Sequence, residues 1–391
     1  MKDMEYQWTG QSPALIHLFA SFLRLGVTAF GGLAMVAYIR KMAVEKMHWI
    51  EEQSARDGVA LCQTIPGATA MQMAAYVGFR VRGVGGAGAS FIGFGLPAFL
   101  FMMILSALYA QTRTLPAVVS IFNGLHAIVV ALVANATLSF GKTLMKNWRN
   151  IINAIIAAAL FGLKISPILV IIIAAFLGMI LYNKEPLPPA MGTPKKAHAP
   201  KSLFLMLSMT AIGFGVLYFL DRKLFDIATL MFRIDLFAFG GGFASVPLML
   251  YEVVEVRSWL DGPTLLSGIV LGQVTPVPIV ITATFIGYLL KGPIAGLIVT
   301  ICVFLPSFMI VVGIVPYFDR LRRSPYFKKV ITGILCSFVG LLLTVTIRFA
   351  LDIPWDVPRI LLSGAAFVAL NLKVDILWVV LIGTVISLAV L

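Results

Sequence analysis

The chain spells one series of residues twice. "FLRLGVTAFGG" at 22–32 returns as "MFRIDLFAFGG" at 231–241. A shift of 209 residues lays Arg24 on Arg233, Phe30 on Phe239, Gly31 on Gly240 and Gly32 on Gly241. One inserted residue makes the shift 210 for Glu45 and Glu255, Trp49 and Trp259, Gln63 and Gln273, and Pro66 and Pro276. The shift is 209 again for Gly78 and Gly287, Gly83 and Gly292, Pro97 and Pro306, Phe99 and Phe308, Pro116 and Pro325, and Gly124 and Gly333. Leucine-rich segments resemble one another trivially. Ordered matches among Gly, Pro, Trp, Gln and Arg do not arise that way, so the chain is an internal duplication. Whatever one half folds into, the other must fold into as well.

The medium follows from composition, because 391 residues at 60% hydrophobic and 12% charged hold more apolar surface than a water-soluble core can hide. A bilayer-spanning helix needs roughly 20 apolar residues. About 13 candidate segments occur, near 14–37, 58–79, 84–110, 117–141, 151–163, 165–182, 203–220, 226–250, 264–289, 292–317, 330–350, 359–371 and 375–391. Those at 151–163 and 359–371 are short enough to be halves of helical hairpins. Those at 58–79 and 264–289 are polar enough to dip into the membrane and return.

The expected fold is an all-α polytopic membrane protein made of two homologous six-segment halves. Residues 1–182 form an N-terminal transporter repeat and 221–391 a C-terminal one. Between them lie a Pro/Lys-rich cytoplasmic linker, 183–202, and an extra transmembrane helix, 203–220, with no counterpart in the first half. An odd number of crossings between equivalent helices turns the second half upside down, the inverted-repeat plan of many secondary transporters.

The amino terminus lacks the regions of a signal peptide. Lys and Arg are denser in the loops on the amino-terminal side, which puts that terminus in the cytoplasm and the carboxyl terminus outside, in a multi-pass protein of the cell membrane. The net charge of +13 is spread through short joints, so it reads as topology and not as a nucleic-acid surface. Cys62, Cys302 and Cys336 sit in apolar segments without metal-ligand spacing. No P-loop or nucleophile-base constellation stands out, so the reading is neither an enzyme nor a cofactor protein.

The residues that carry chemistry belong to the repeat. Arg24 lies mid-way along its segment, where an arginine costs on the order of 2.5–3.5 kcal/mol to insert. Its recurrence as Arg233, ahead of glycine pairs that weaken a helix, favours function over bracing, although Asp235 offers Arg233 an internal partner. Pro66 and Pro276 each remove a backbone donor beside Gln63 and Gln273, whose amides can donate. Broken helices at membrane depth line wet cavities, and their exposed N–H groups attract anions.

The expected substrate-binding set is therefore Arg24, Arg233, Gly31, Gly32, Gly240, Gly241, Gln63, Gln273, Pro66, Gly67, Thr69 and Pro276. Asp235, which aligns with the non-titrating Gly26, is a coupling or ion-pair candidate. Arg80, Arg82 and Lys291 form a candidate pathway mouth, though topology signals explain them as well. Trp49 and Trp259 read as interfacial anchors, and His17 and His126 as core histidines.

The ordered motifs resemble the chromate ion transporter (CHR) family in its long, two-domain form. They are "AFGG" at 29–32 and 238–241, "HWIEE" and "SWLDG", "LCQTIPGAT" and "LGQVTPVPI", "YVGFRVRG" and "FIGYLLKG", and "LPAF" and "LPSF". Where a Pro-Gly-Pro is common in that family, this chain has Pro66-Gly67-Ala68 and Pro276-Val277-Pro278. The resemblance implies export of chromate, a divalent tetrahedral oxyanion, driven by the membrane potential or proton gradient. Another anion such as sulfate is the alternative. The expected partners are that oxyanion and the lipid bilayer, with a homodimer left open.

Overall fold

The computed structural model describes residues 13–28, 34–182, 201–276, 278–318 and 324–390, and the ordered elements it shows are helical. The first repeat holds α1 (Leu15–Thr28), α2 (Ala34–Arg40, continued by a π-turn over Lys41–Lys46), α3 (Glu52–Thr64), α4 (Thr69–Thr112), α5 (Pro116–Leu144), α6 (Trp148–Gly162) and α7 (Pro167–Leu181). After α8 (Lys201–Leu220) the second repeat holds α9 (Arg222–Phe237), α10 (Ser245–Met249, led in by Gly242–Ala244 and continued by Leu250–Val256) and α11 (Gly262–Val274). It ends with α12 (Thr282–Ile314), α13 (Pro325–Leu351), α14 (Val357–Asn371) and α15 (Ile376–Val390). Most of the sequence linker, 183–200, lies outside the described residues.

Local chemistry explains where these helices begin. Pro116, Pro167 and Pro325 open α5, α7 and α13, where a missing N–H costs nothing. Asp221, Asp261 and Asp356 cap α9, α11 and α14 by accepting from the N–H groups of Leu224, Thr264 and Arg359 at 3.0, 2.8 and 2.9 Å.

In two segments counted as single spans, 14–37 and 226–250, the chain folds back on its first helix. α1 is described as far as Thr28, and α9 ends at Phe237, just before Gly240. The Phe22 ring stacks on that of Trp49 at 6.3 Å, and Arg233 comes within 3.9 Å of Glu252. A straight helix would hold such pairs tens of ångströms apart. Trp49 is accordingly buried against α1, which corrects its reading as an interfacial anchor.

The segments polar enough to dip and return fold as helical hairpins. Tyr76 on α4 donates to the carbonyl of Ser54 on α3 at 2.9 Å, and Thr282 donates to that of Gly268 at 3.3 Å. Each long helix that follows is itself folded over. Non-helical backbone at Arg82–Gly83 and at Lys291–Gly292 reverses α4 and α12, with Gly83 at φ +60° and Gly292 at φ +80°, where glycine alone is unstrained. The arms lie side by side, Ser90 donating to Ala74 at 2.7 Å and the hydroxyls of Thr284 and Thr300 meeting at 2.6 Å.

The halves are joined through their equivalent elements. The hydroxyls of Thr137 on α5 and Thr346 on α13 are 3.3 Å apart, and these two positions are separated by the repeat distance of 209. A residue that touches its own equivalent lies on the pseudo-twofold axis. Gly141, four residues beyond Thr137, lies beside Val339, seven residues before Thr346, so α5 and α13 run antiparallel. α4 and α12 do the same, with Phe91 against Phe308 at 5.1 Å while Met103 faces Gly296. The second repeat is thus inverted relative to the first.

The short helices are exchanged. α6 and α7 pack on α13 of the other half, α14 and α15 on α5. Gly178 against Gly333 repeats as Ser387 against Gly124. At 15 residues these helices are about 22 Å long, short of the roughly 30 Å hydrocarbon core. Among the described residues, five helices are long and apolar enough to cross: α4, α5, α8, α12 and α13.

Even the strained turns recur, with positive φ at His48 and Ser258 and at Lys164 and Lys373. His48 and Ser258 are exposed equivalents, so inversion puts them on opposite faces of the membrane. Single cysteines at 48 and 258 in an otherwise cysteine-free protein should differ in reaction with an impermeant thiol reagent on intact cells. Equal labelling of both would contradict the inversion.

Candidate functional site

A cavity of about 180 Å³ lies where the broken hairpins of both halves meet. Four helix starts face it. Met35 and Val36 begin α2 after the first glycine break, and Thr69 and Ala70 begin α4 after the first proline break. Gly242 and Phe243 begin the turn into α10, and Pro278 and Ile279 the turn into α12. These are two pairs of repeat equivalents. Each start leaves N–H groups without intrahelical partners and carries the positive end of its helix dipole.

Side chains complete the lining. Thr69, Asn135, Ser139, Gln273 and Thr275 supply hydroxyls and amides, and among the described residues no Asp, Glu, Lys, Arg or His lines the cavity. The Thr275 hydroxyl donates to the carbonyl of Gly272 at 2.8 Å, while the Gln273 Nε2 is buried with no partner among the described residues. Gly240 and Gly241, at φ +93° and +95°, form a wall that a side chain could adopt only under strain. Such a site offers neutral donors and aligned dipoles, which suit an anion in a water-poor place.

Of the residues expected from sequence, Thr69, Gly240, Gly241 and Gln273 come together here. Pro66 and Gly67 sit at the adjoining hairpin tip, where Pro66 accepts from Gln72 Nε2 at 2.5 Å, and Pro276 is buried at the equivalent tip. Gly31 and Gly32 lie outside the described residues. Gln63 is exposed on α3.

The arginines stand apart from the cavity. Arg24 is exposed on α1, and its guanidinium makes no hydrogen bond or ion pair with another described residue. Arg233 does not pair with Asp235, because residues two apart on a helix face different ways. Its guanidinium is half-exposed and 3.9 Å from Glu252, which Arg257 also holds. Asp235 is fully buried and accepts instead from Ser307.

The cations at the reversals are tied to the first helix of their own repeat. Arg82 donates to the Pro13 carbonyl at 2.9 Å, and Lys291 pairs with Asp221, holding that carboxyl below the usual carboxylate range together with the Leu224 N–H. Arg80, two residues earlier, is exposed. His126 is largely buried, with Nε2 3.0 Å from the Ser267 hydroxyl.

Sequence reasoning missed Asn135 and Ser139. Their signal is present, two polar residues four apart in an apolar run, which puts them on one face of α5. It also missed Ser307, whose meaning appears only once α12 is placed beside α9.

A family model described as "Chromate transporter" matches residues 16–179 and again 225–388. The chain is 44% identical to an uncharacterized transporter of Methanocaldococcus jannaschii, over 97% of this chain and 95% of that one. It is 29% identical to a chromate transport protein of Cupriavidus metallidurans, over 93% and 90%. An uncharacterized transporter of Bacillus subtilis is 31% identical over 39% of this chain and 81% of its own length, which is the size of a single repeat. No solved structure matches.

Proposed function

Because the chain belongs to the chromate transporter family, we propose that it carries chromate across the membrane by binding the dianion in the central cavity. The observation that carries this reading is the convergence of four helix amino-termini, two from each repeat, on a cavity that no acidic side chain lines among the described residues. A tetrahedral oxyanion presents four acceptors. The backbone N–H groups near Thr69, Gly242 and Ile279, with the Gln273 amide and the Thr69 and Asn135 side chains, supply donors from several directions.

In this reading the protein exports chromate from the cytoplasm, drawing on the proton motive force, and so confers chromate resistance. Its amino terminus is cytoplasmic in the cell membrane. The relative named for chromate transport supports the substrate, and the loop charge bias supports the orientation. Arg24 and Arg233 act through their field, raising the local anion concentration without contacting it. Arg24→Gln should then raise the apparent KM by a factor of about 3–10, less at high salt.

The test is uptake of labelled chromate by the purified protein in liposomes, with unlabelled chromate and sulfate as competitors. Saturable uptake, displaced by chromate, is expected. Its absence in vesicles holding monodisperse protein would remove the reading.

A further inference from the structure

One polar chain in the molecule is built in only one of the two repeats. At the first proline break, the Gly67 N–H donates to the Ala238 carbonyl at 3.0 Å, and the Ala68 N–H donates to the Ser307 hydroxyl at 2.8 Å. That hydroxyl donates in turn to Asp235 Oδ2 at 2.7 Å, which also receives the Ser307 N–H at 2.9 Å. Asp235 is fully buried, and its other oxygen, Oδ1, has no partner among the described residues.

The equivalent positions in the other repeat are Gly26 for Asp235, Ala98 for Ser307 and Pro278 for Ala68. They offer no carboxylate, no hydroxyl and no N–H. Gly26 there simply packs on the Phe94 backbone. The same architecture therefore stands without the chain of hydrogen bonds, so it is not required to build the fold.

Among the described residues no counter-charge accompanies this carboxyl group. On its own helix, Arg222, Lys223 and Asp226 are at the far end, and Arg233 turns to Glu252. On α12 the described cation is Lys291, engaged by Asp221 at the reversal. α8 has no charged residue between Ser202 and Leu220, and α10 has none. The turn after α10 sends Glu252 to Arg257 and Glu255 to Arg348. The tip at 65–68 is uncharged. A carboxylate so placed is held only by hydrogen bonds, and a proton on Oδ1 relieves it.

We propose that Asp235 is the proton-binding site of the transport cycle, and that Ser307 is the positioning residue through which its charge state sets the Pro66–Thr69 break. The proton comes from water, adds to Oδ1 and leaves from it; no other bond is made or broken. As a carboxylate, Asp235 grips Ser307 through charge-assisted hydrogen bonds, and Ser307 holds Ala68. Once neutral, it grips both less tightly. Thr69, the next residue, is a wall of the cavity, so loosening reaches the anion site directly. The break of the second repeat carries no such restraint.

The inference rests on the oxyanion-transport reading, and the experiment separates the two. Full-length protein in liposomes is assayed for labelled chromate exchange at equal pH and for accumulation under an imposed pH gradient. In Asp235→Asn, gradient-driven accumulation should fall at least about tenfold more than exchange, and exchange should lose its pH dependence. Asp235→Glu should restore accumulation with a displaced pH profile. Ser307→Ala should flatten the pH profile while Asp235 still titrates.

Infrared difference spectra between acid and alkaline pH, taken without chromate, should show a carboxylic C=O band that Asp235→Asn lacks. An Asp235→Asn protein whose accumulation tracks its exchange overturns the proposal. If that variant fails to fold, unaltered pH profiles in both Asp235→Glu and Ser307→Ala overturn it. Wild-type vesicles that exchange no oxyanion defeat the transport reading, and the infrared band then decides the protonation site alone.

Discussion

Gly241→Ala is expected to lower chromate transport by about 100-fold, a loss of about 2.7 kcal/mol at roughly 1.36 kcal/mol per tenfold. The residue has φ +95° and ψ −166°, a region that residues with a Cβ enter only at a cost of order 1–3 kcal/mol. A Cβ built there would lie 3.0 Å from the Thr69 hydroxyl, across the cavity from its own helix start. The backbone has two responses. It can keep its course and fill the space between Gly241 and Thr69, or relax toward a common conformation and swing the first N–H groups of the α10 turn away. Either one removes donors aimed at the anion.

Gly88→Ala is the control, since Gly88 lies in the helical part of α4 and a Cβ there meets nothing within 4 Å. Transport by each variant is measured in liposomes and normalised to monodisperse protein. A Gly241→Ala protein that folds and transports like Gly88→Ala would show that this break does not face the substrate.

The duplication was readable in the sequence because it depends on residues whose backbone demands are special. Gly83 and Gly292 mark the two reversals, Pro66 and Pro276 the two hairpin tips, and both pairs survive in register. What remained hidden was the direction taken after a break. Apolar residues on either side of Gly31–Gly32 or Gly240–Gly241 look the same whether the chain continues across the membrane or folds back, since hydropathy records depth and not heading.

Candidate site residues divided along the same line. Gln273 and Thr69 were legible through their neighbouring prolines, and both reach the cavity. Arg24 and Arg233 drew notice by their cost in a membrane, yet cost alone does not say which way a side chain points. Arg233 found Glu252, an acid with Met42 as its first-repeat equivalent, so repeat comparison could not supply that partner.

Asymmetry also separates the two copies of the α5 face. Asn135 and Ser139 line the cavity, whereas their equivalents Thr344 and Arg348 are spent on packing. Thr344 donates to the Ala158 carbonyl at 3.2 Å, and Arg348 donates to that of Phe161 at 2.6 Å while pairing with Glu255. Duplication provided two similar faces and divergence assigned one to the pathway. An intramembrane arginine is therefore tolerated at 348 because it is satisfied, a structural role for which Arg24 has no partner among the described residues.

Charge at position 273 gives the sharpest test of what the cavity holds. Gln273 is a cavity residue whose amide nitrogen is buried and has no partner among the described residues, so it is a donor held in reserve. Gln273→Ala removes one hydrogen bond to a charged ligand, roughly 1.5–3 kcal/mol, and should weaken chromate binding by about 10- to 100-fold. Gln273→Glu keeps the shape and reverses the electrostatics. A unit charge pair at about 4 Å is worth roughly 4 kcal/mol at an effective dielectric constant of 20, and a dianion doubles that to about 8 kcal/mol of repulsion.

Transport by the glutamate variant should thus be undetectable at neutral pH and worse than that of the alanine variant. The sign of its pH response is also fixed. An introduced carboxyl beside an anion titrates upward, and once protonated it can donate as the amide did, so activity should return as pH falls. A cavity that served a cation would give the opposite order, glutamate above alanine. If the two variants transport chromate equally at every pH, no anion passes within reach of residue 273.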